Sequence, residues 1–193
     1  MAKTRAKKAP PKPKADERTG GEPRDPKAVH ELLGLPGPYE PPPPPIPTRG
    51  YVTWWDPGMS INALAKKQPK LFHIPRLFEG ERCARDSDSW KWRQWRIEPI
   101  GRDLPFEEQR KQLKTGDEPA AVRELVLYFA LHFLTTGERL DLGRLRCKDL
   151  SEAGRRLTVW FSPMGFDIAS VSDAWKSPGI GLSVMCTPVA RKK

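Results

Sequence analysis

The chain has 193 residues, a formal charge of +10 and three cysteines. That length favours one domain of ordinary size. Cys83, Cys147 and Cys186 are odd in number and far apart, which excludes an ordinary secreted disulfide framework and points to a reducing compartment such as the cytoplasm.

Residues 1–50 carry ten Lys or Arg against six Asp or Glu, and residues 51–193 carry 24 against 18, so the positive excess is spread over both parts. Such a balance favours anionic partners without choosing nucleic acid over acidic lipid or acidic protein. No apolar run follows the basic N-terminus, so a signal peptide is not expected. The longest apolar stretch, residues 125–134, is too short to span a bilayer, and a soluble protein is expected.

In chain order, residues 1–48 read as a basic, proline-rich, disordered tail. They hold 13 of the 22 prolines and few residues able to build a core. Six cations and no acid fall between Lys3 and Lys14. A short helix is expected over residues 25–34, with Pro26 in its first turn and Val29, Leu32 and Leu33 on one face. The five prolines from Pro41 to Pro45 predict a stiff polyproline spacer. The domain boundary is placed near Thr48, leaving 49–193 as a single domain.

Asp56 and Pro57 suit the cap and first position of a helix running to about Lys67. Residues 71–74 read as a short extended edge, and 89–97 as a strand alternating bulky and charged side chains. In that strand Trp90, Trp92, Gln94 and Arg96 fall on one face, and Lys91, Arg93, Trp95 and Ile97 on the other. Residues 105–114 predict a helix of good helix formers, acids leading and bases following.

The clearest element is a helix over 119–136, capped by Asp117 and ended by Gly137. Val122, Val126, Phe129 and Phe133 form its stripe, and Leu127 and Leu131 carry the apolar surface round the back, which predicts a helix enclosed by protein. Beyond it, short strands at 145–150, 157–161, 166–171 and 180–186 alternate with turn residues, as in antiparallel hairpins. The expected class is α+β: a central apolar helix packed on an antiparallel sheet made mostly of residues 144–186 with 89–97 added.

The chemistry legible here concerns binding. Trp90, Lys91, Trp92, Arg93, Trp95 and Arg96 interleave indoles with cations, a composition that suits stacking on unpaired bases and contact with phosphates. The same run also fits a half-buried strand whose tryptophans pack inward. Exposure decides between the two. Arg144 and Arg146, alternating on a strand, are further candidates for an anion, and the Lys-rich tail could form a diffuse phosphate-binding arm.

His30, His73 and His132 do not cluster with the cysteines at metal-ligand spacing, and neither a metal nor a cofactor is expected. His132 is read as a core or boundary histidine with a hydrogen-bond partner. Acidic pairs such as Glu107-Glu108 sit where helix starts favour acids, and no phosphate-binding glycine loop or nucleophile elbow is present. The leading expectation is a non-enzymatic module for an anionic polymer such as nucleic acid. A protein–protein adaptor using the proline stretch or an exposed Trp patch is the alternative. An enzyme of unfamiliar type, with a pocket near His132 or the Arg139, Arg144 and Arg146 group, is the third.

Glu107 to Leu113, the stretch Leu131-His132-Phe133-Leu134-Thr135-Thr136-Gly137-Glu138-Arg139-Leu140, and Arg146-Cys147-Lys148-Asp149 together resemble a group of uncharacterised bacterial proteins. The resemblance spans about residues 70–185 and departs at 151–154, where a more acidic turn is the pattern. It implies one domain with a core helix and C-terminal hairpins. No activity, ligand or catalytic residue comes with it.

Overall fold

The computed structural model describes residues 25–36, 40–74, 78, 80–177 and 179–186. The Lys-rich segment 1–24 lies outside them. The protein is α+β, as expected, but it is built on two four-stranded sheets rather than one.

The first sheet has the order β1-β2-β8-β3, with β1 at Tyr51–Asp56, β2 at Lys91–Arg96, β3 at Asp117–Pro119 and β8 at Val184–Cys186, all antiparallel. The second has the order β6-β5-β4-β7, with β4 at Arg144–Leu150, β5 at Arg156–Ser162, β6 at Gly165–Val171 and β7 at Ile180–Leu182. Here the β4–β7 pair is parallel and the rest antiparallel. The expected strand at 180–186 is therefore two strands, one in each sheet. At the switch Ser183 is buried, and its hydroxyl accepts the Trp95 indole N–H at 2.8 Å.

Between the sheets lies the central helix. Other helical pieces matter less to its position, among them α1 at Pro26–Leu32, α2 at Ile61–Lys67, a single 3-10 turn at Pro69–Leu71, α3 at Arg82–Arg85 and α4 at Phe106–Arg110. The central α5 spans Val122–Thr136, and every residue from Val122 to His132 is buried. Tyr128 meets Trp54 and Trp95 of the first sheet, at ring-centroid distances of 5.5 and 4.7 Å. Phe133 meets Phe161 of the second, at 5.5 Å. Leu145, Cys147, Leu157 and Val159 complete that side. A helix apolar all round is stable only when enclosed in this way.

Several boundaries differ from expectation for physical reasons. Residues 117–119 form strand β3, not the first turn of α5; Ala121 takes the cap position, with Glu124 accepting its amide at 2.8 Å. Gly137 ends α5 in the left-handed conformation, as expected. Asp56 ends β1 instead of capping α2, whose cap is Ser60. Residues 71–74 cross the tip of the β5–β6 hairpin, where Phe72 bridges to Phe166 and a Cβ on Gly165 would lie 2.7 Å from the Leu71 carbonyl oxygen.

The largest departure concerns the leader from residue 25 onward. α1 forms as expected, but Val29 and Leu33 are 1% and 2% exposed and belong to the main core. The proline stretch is engaged as well. The Pro42 carbonyl accepts the Trp92 indole N–H at 2.7 Å, and the Ile46 carbonyl accepts from Gln94 at 2.7 Å. Proline-rich backbone has no internal hydrogen bonds, so its carbonyls are open to partners such as these. Residues 25–48, expected as part of a loose tail, are anchored to the domain through Val29, Leu33 and the Pro42 and Ile46 carbonyls.

Candidate functional site

The Trp/Arg run on β2 is mostly structural. Trp95 is 1% exposed and packs on Tyr128 and Phe129 of α5. Trp92 is half-buried, its ring edge-on to Trp55 at 5.1 Å. Trp90 is 37% exposed, with His30 of α1 against its ring at 4.6 Å. Lys91 pairs with Asp88 at 2.6 Å, and Arg96 is half-buried beside Tyr51 in the β1–β2 ladder.

Arg93 belongs to an ion cluster that sequence spacing does not reveal. The buried Asp56 carboxylate accepts from the Gly58 amide, from Arg123 at 2.6 and 3.0 Å and from Arg93 at 2.9 Å. Arg93 also meets Asp88 at 2.6 Å and Glu124 at 2.5 Å. Three acids (Asp56, Asp88, Glu124) thus balance three bases (Lys91, Arg93, Arg123), and the members come from β1, β2, α5 and the residue 86–90 segment. Burial raises the Asp88 carboxyl, but hydrogen bonds from Lys91 and the Ser89 amide and the charges of Lys91 and Arg93 outweigh it and bring it to about 2. Saturated on every side, this cluster is a clamp between sheet and helix. A Cβ on Gly58 would sit 2.2 Å from the Asp88 carbonyl oxygen, so glycine is needed where these segments touch.

The arginines of the second sheet divide in two. Leu145, Cys147, Leu157 and Val159 face α5, so Arg144, Arg146, Thr158 and Trp160 lie on the outer face. Arg144 is exposed, its guanidinium 4.4 Å from the Trp160 ring centroid. Arg146, expected on the surface as an anion ligand, is 0% exposed. It lies beneath a second small core of Ile100, Phe106, Leu182 and Val184 and donates to the carbonyls of Leu104 and Trp175 and to Gln109 at 2.8–3.3 Å. No partner is free to reach it in the folded state. Arg139 lies over the Phe133 and Phe161 rings, so it does not converge with Arg144 and Arg146 on a common pocket.

Of the histidines, His132 is 9% exposed, and neither ring nitrogen has a hydrogen-bond partner among the described residues. Burial pushes its imidazole below the ordinary range, against the pull of Glu138. His73, half-exposed, meets Asp167 at 3.0 Å. Burial raises all three thiols, Cys83 to about 12, which keeps them protonated and poorly nucleophilic. Among the described residues no group of three His, Cys, Asp or Glu could hold a metal, and no helix is long and apolar enough to cross a membrane.

An open depression of about 520 Å³ lies at the end of the second sheet, lined by Arg155, Ser170, Val171, Ser172, Ala174 and Trp175. Trp175 is 43% exposed, the most exposed of the described tryptophans. Arg155 and Lys176 are exposed, and neither pairs with a carboxylate among the described residues. No family model, curated protein or solved structure matches the chain. The depression has no acid or base suited to proton transfer. A guanidinium, two hydroxyls and an indole can hold an anion beside a flat ring. In the sequence the dense Trp run on β2 overshadows the solitary Trp175. Its signal was its setting, in a polar, turn-rich stretch where a large aromatic has little to pack against.

Proposed function

We propose that this protein is a non-enzymatic binding module for an anionic polymer, nucleic acid first among them, acting in a reducing compartment such as the bacterial cytoplasm. The observation that carries the reading is a group of exposed cations beside aromatic rings at the second sheet. On β2, Lys91 and Arg93 are neutralised by Asp88, Asp56 and Glu124. At the second sheet Arg144, Arg155 and Lys176 are exposed, without a carboxylate partner among the described residues, and lie near the indoles of Trp160 and Trp175. Unpaired cations beside aromatic faces attract phosphates and leave flat surface for bases. Residues 1–24 add eight Lys or Arg against three acids.

The adaptor alternative has less to work with, because carbonyls of the proline stretch already hold Trp92 and Gln94. The test is a titration of the full chain with a fluorescent oligonucleotide over a range of salt. Log affinity should fall linearly with log salt, with a slope reflecting several phosphates. Removing residues 1–24 should make that slope shallower without unfolding the domain. Binding that ignores salt, or none at low ionic strength, would end the reading.

A further inference from the structure

Trp175 stands on the loop between β6 and β7, and hydrogen bonds hold the first half of that loop. The Asp173 carboxylate takes Arg156 through Nε at 3.1 Å and through Nη2 at 3.3 Å, and the Asp173 carbonyl accepts the Phe106 amide at 2.9 Å. The Trp175 carbonyl accepts from Arg146 at 2.8 Å, and the Trp175 amide donates to the Ser172 carbonyl at 3.1 Å. Arg156 is itself fixed, its guanidinium 3.9 Å from the Phe106 ring centroid.

Arg146 is the informative member. It is a fully buried guanidinium with no carboxylate contact among the described residues, held by two carbonyls and an amide oxygen. Burying such a group without a counter-ion is expensive. Here the arrangement fixes the backbone of a loop whose largest side chain points away from the core. Loops held rigidly while presenting an aromatic ring to water are the usual construction of a recognition surface.

The depression beside the ring has the volume of a small-ligand site, but it is open, which suits a base splayed from a flexible strand better than an enclosed metabolite. Its lining contains no carboxylate to repel phosphate. Arg155 and Trp175 both line it, and Lys176 follows Trp175 in the chain.

We infer that Trp175 is a stacking platform for an unpaired base of single-stranded nucleic acid, with Arg155 and Lys176 meeting the flanking phosphates. This rests on the anionic-polymer reading and narrows it: affinity should come partly from a ring stacked on a ring, which a duplex or a base-free polyanion cannot provide. Stacking of this kind tolerates any base.

The experiment compares three probes on the full chain, namely short oligo-dT, a duplex of equal length, and heparin. Trp175→Ala should weaken oligo-dT binding about tenfold or more while leaving heparin unchanged. Trp175→Phe, which keeps a stacking face, should restore most of the loss. Arg155→Ala should weaken oligo-dT and heparin alike and reduce the salt slope by about one. If the wild type binds oligo-dT and heparin and Trp175→Ala leaves oligo-dT affinity intact, the platform is wrong and the broader reading stands. If the wild type binds none of the three probes at low salt, the platform and the anionic-polymer reading fall together.

Discussion

Asp56 shows how much one side chain can hold. Its two oxygens receive two guanidinium groups and an amide with no exposure to water. Replacing it with Ala leaves Arg93 and Arg123 in the interior with too little negative charge. Removing one partner of a buried pair typically costs about 3–5 kcal/mol. A urea melt of Asp56→Ala should show a loss of that order, and a loss below about 1 kcal/mol would mean the cluster is wetter than its geometry indicates.

His132 carries a prediction of the opposite sign. An imidazole whose protonation is disfavoured in the fold binds fewer protons than it does in the unfolded chain. Its contribution is therefore intact above the unfolded value of about 6.5 and is lost as pH falls below it. With both nitrogens lacking partners among the described residues, His132→Leu should raise Tm at neutral pH and flatten the decline between about pH 6.5 and 5. Thermal melts at the two ends of that window decide it. An unchanged pH slope would show that His132 is not the group titrating there.

Among the elements, α1 and α5 separate what periodicity can reveal from what it cannot. The apolar circumference of α5 is written in consecutive residues, so its burial and its Gly137 stop are legible without a structure. The first strand, Tyr51–Asp56, was not, because Asp56-Pro57 also reads as a helix start and the pairing of β1 with β2 is a non-local fact. The docking of α1 was equally hidden. Val29 and Leu33 look too few to offset the entropy of ordering a leader, yet they enter a core already formed by Trp55 and its neighbours. Leu33→Ala should therefore lower stability by about 2 kcal/mol or more, measured by chemical denaturation of the full chain. A neutral result would return the leader to the status of a tail.

The kind of chemistry was legible in the sequence, but the packing of the β2 run was not. Interleaved Trp and Arg do signal aromatic and cationic chemistry, but in β2 the alternation serves two packed faces. Trp95 goes to α5, Trp92 to Trp55 and Pro42, and Arg93 to three acids. A strand between two partners has little surface left to offer.

For the molecule as a whole, the two sheets have different duties. The first packs on one side of α5, receives the leader and pairs its Lys91 and Arg93 with acids. The second covers the other side of α5 and keeps unpaired cations beside exposed rings on its outer face and at its end. The seven tryptophans report on this division directly, since each indole N–H gives its own proton resonance. The decisive measurement is a titration of the full chain with short oligo-dT at low salt, followed through those seven signals. The Trp175 resonance should move most, with Trp160 the next candidate, while Trp54, Trp55 and Trp95 stay in place. Movement led by Trp92 or Trp95 with Trp175 unmoved would return the interface to the β2 run and contradict the assignment of these two sheets.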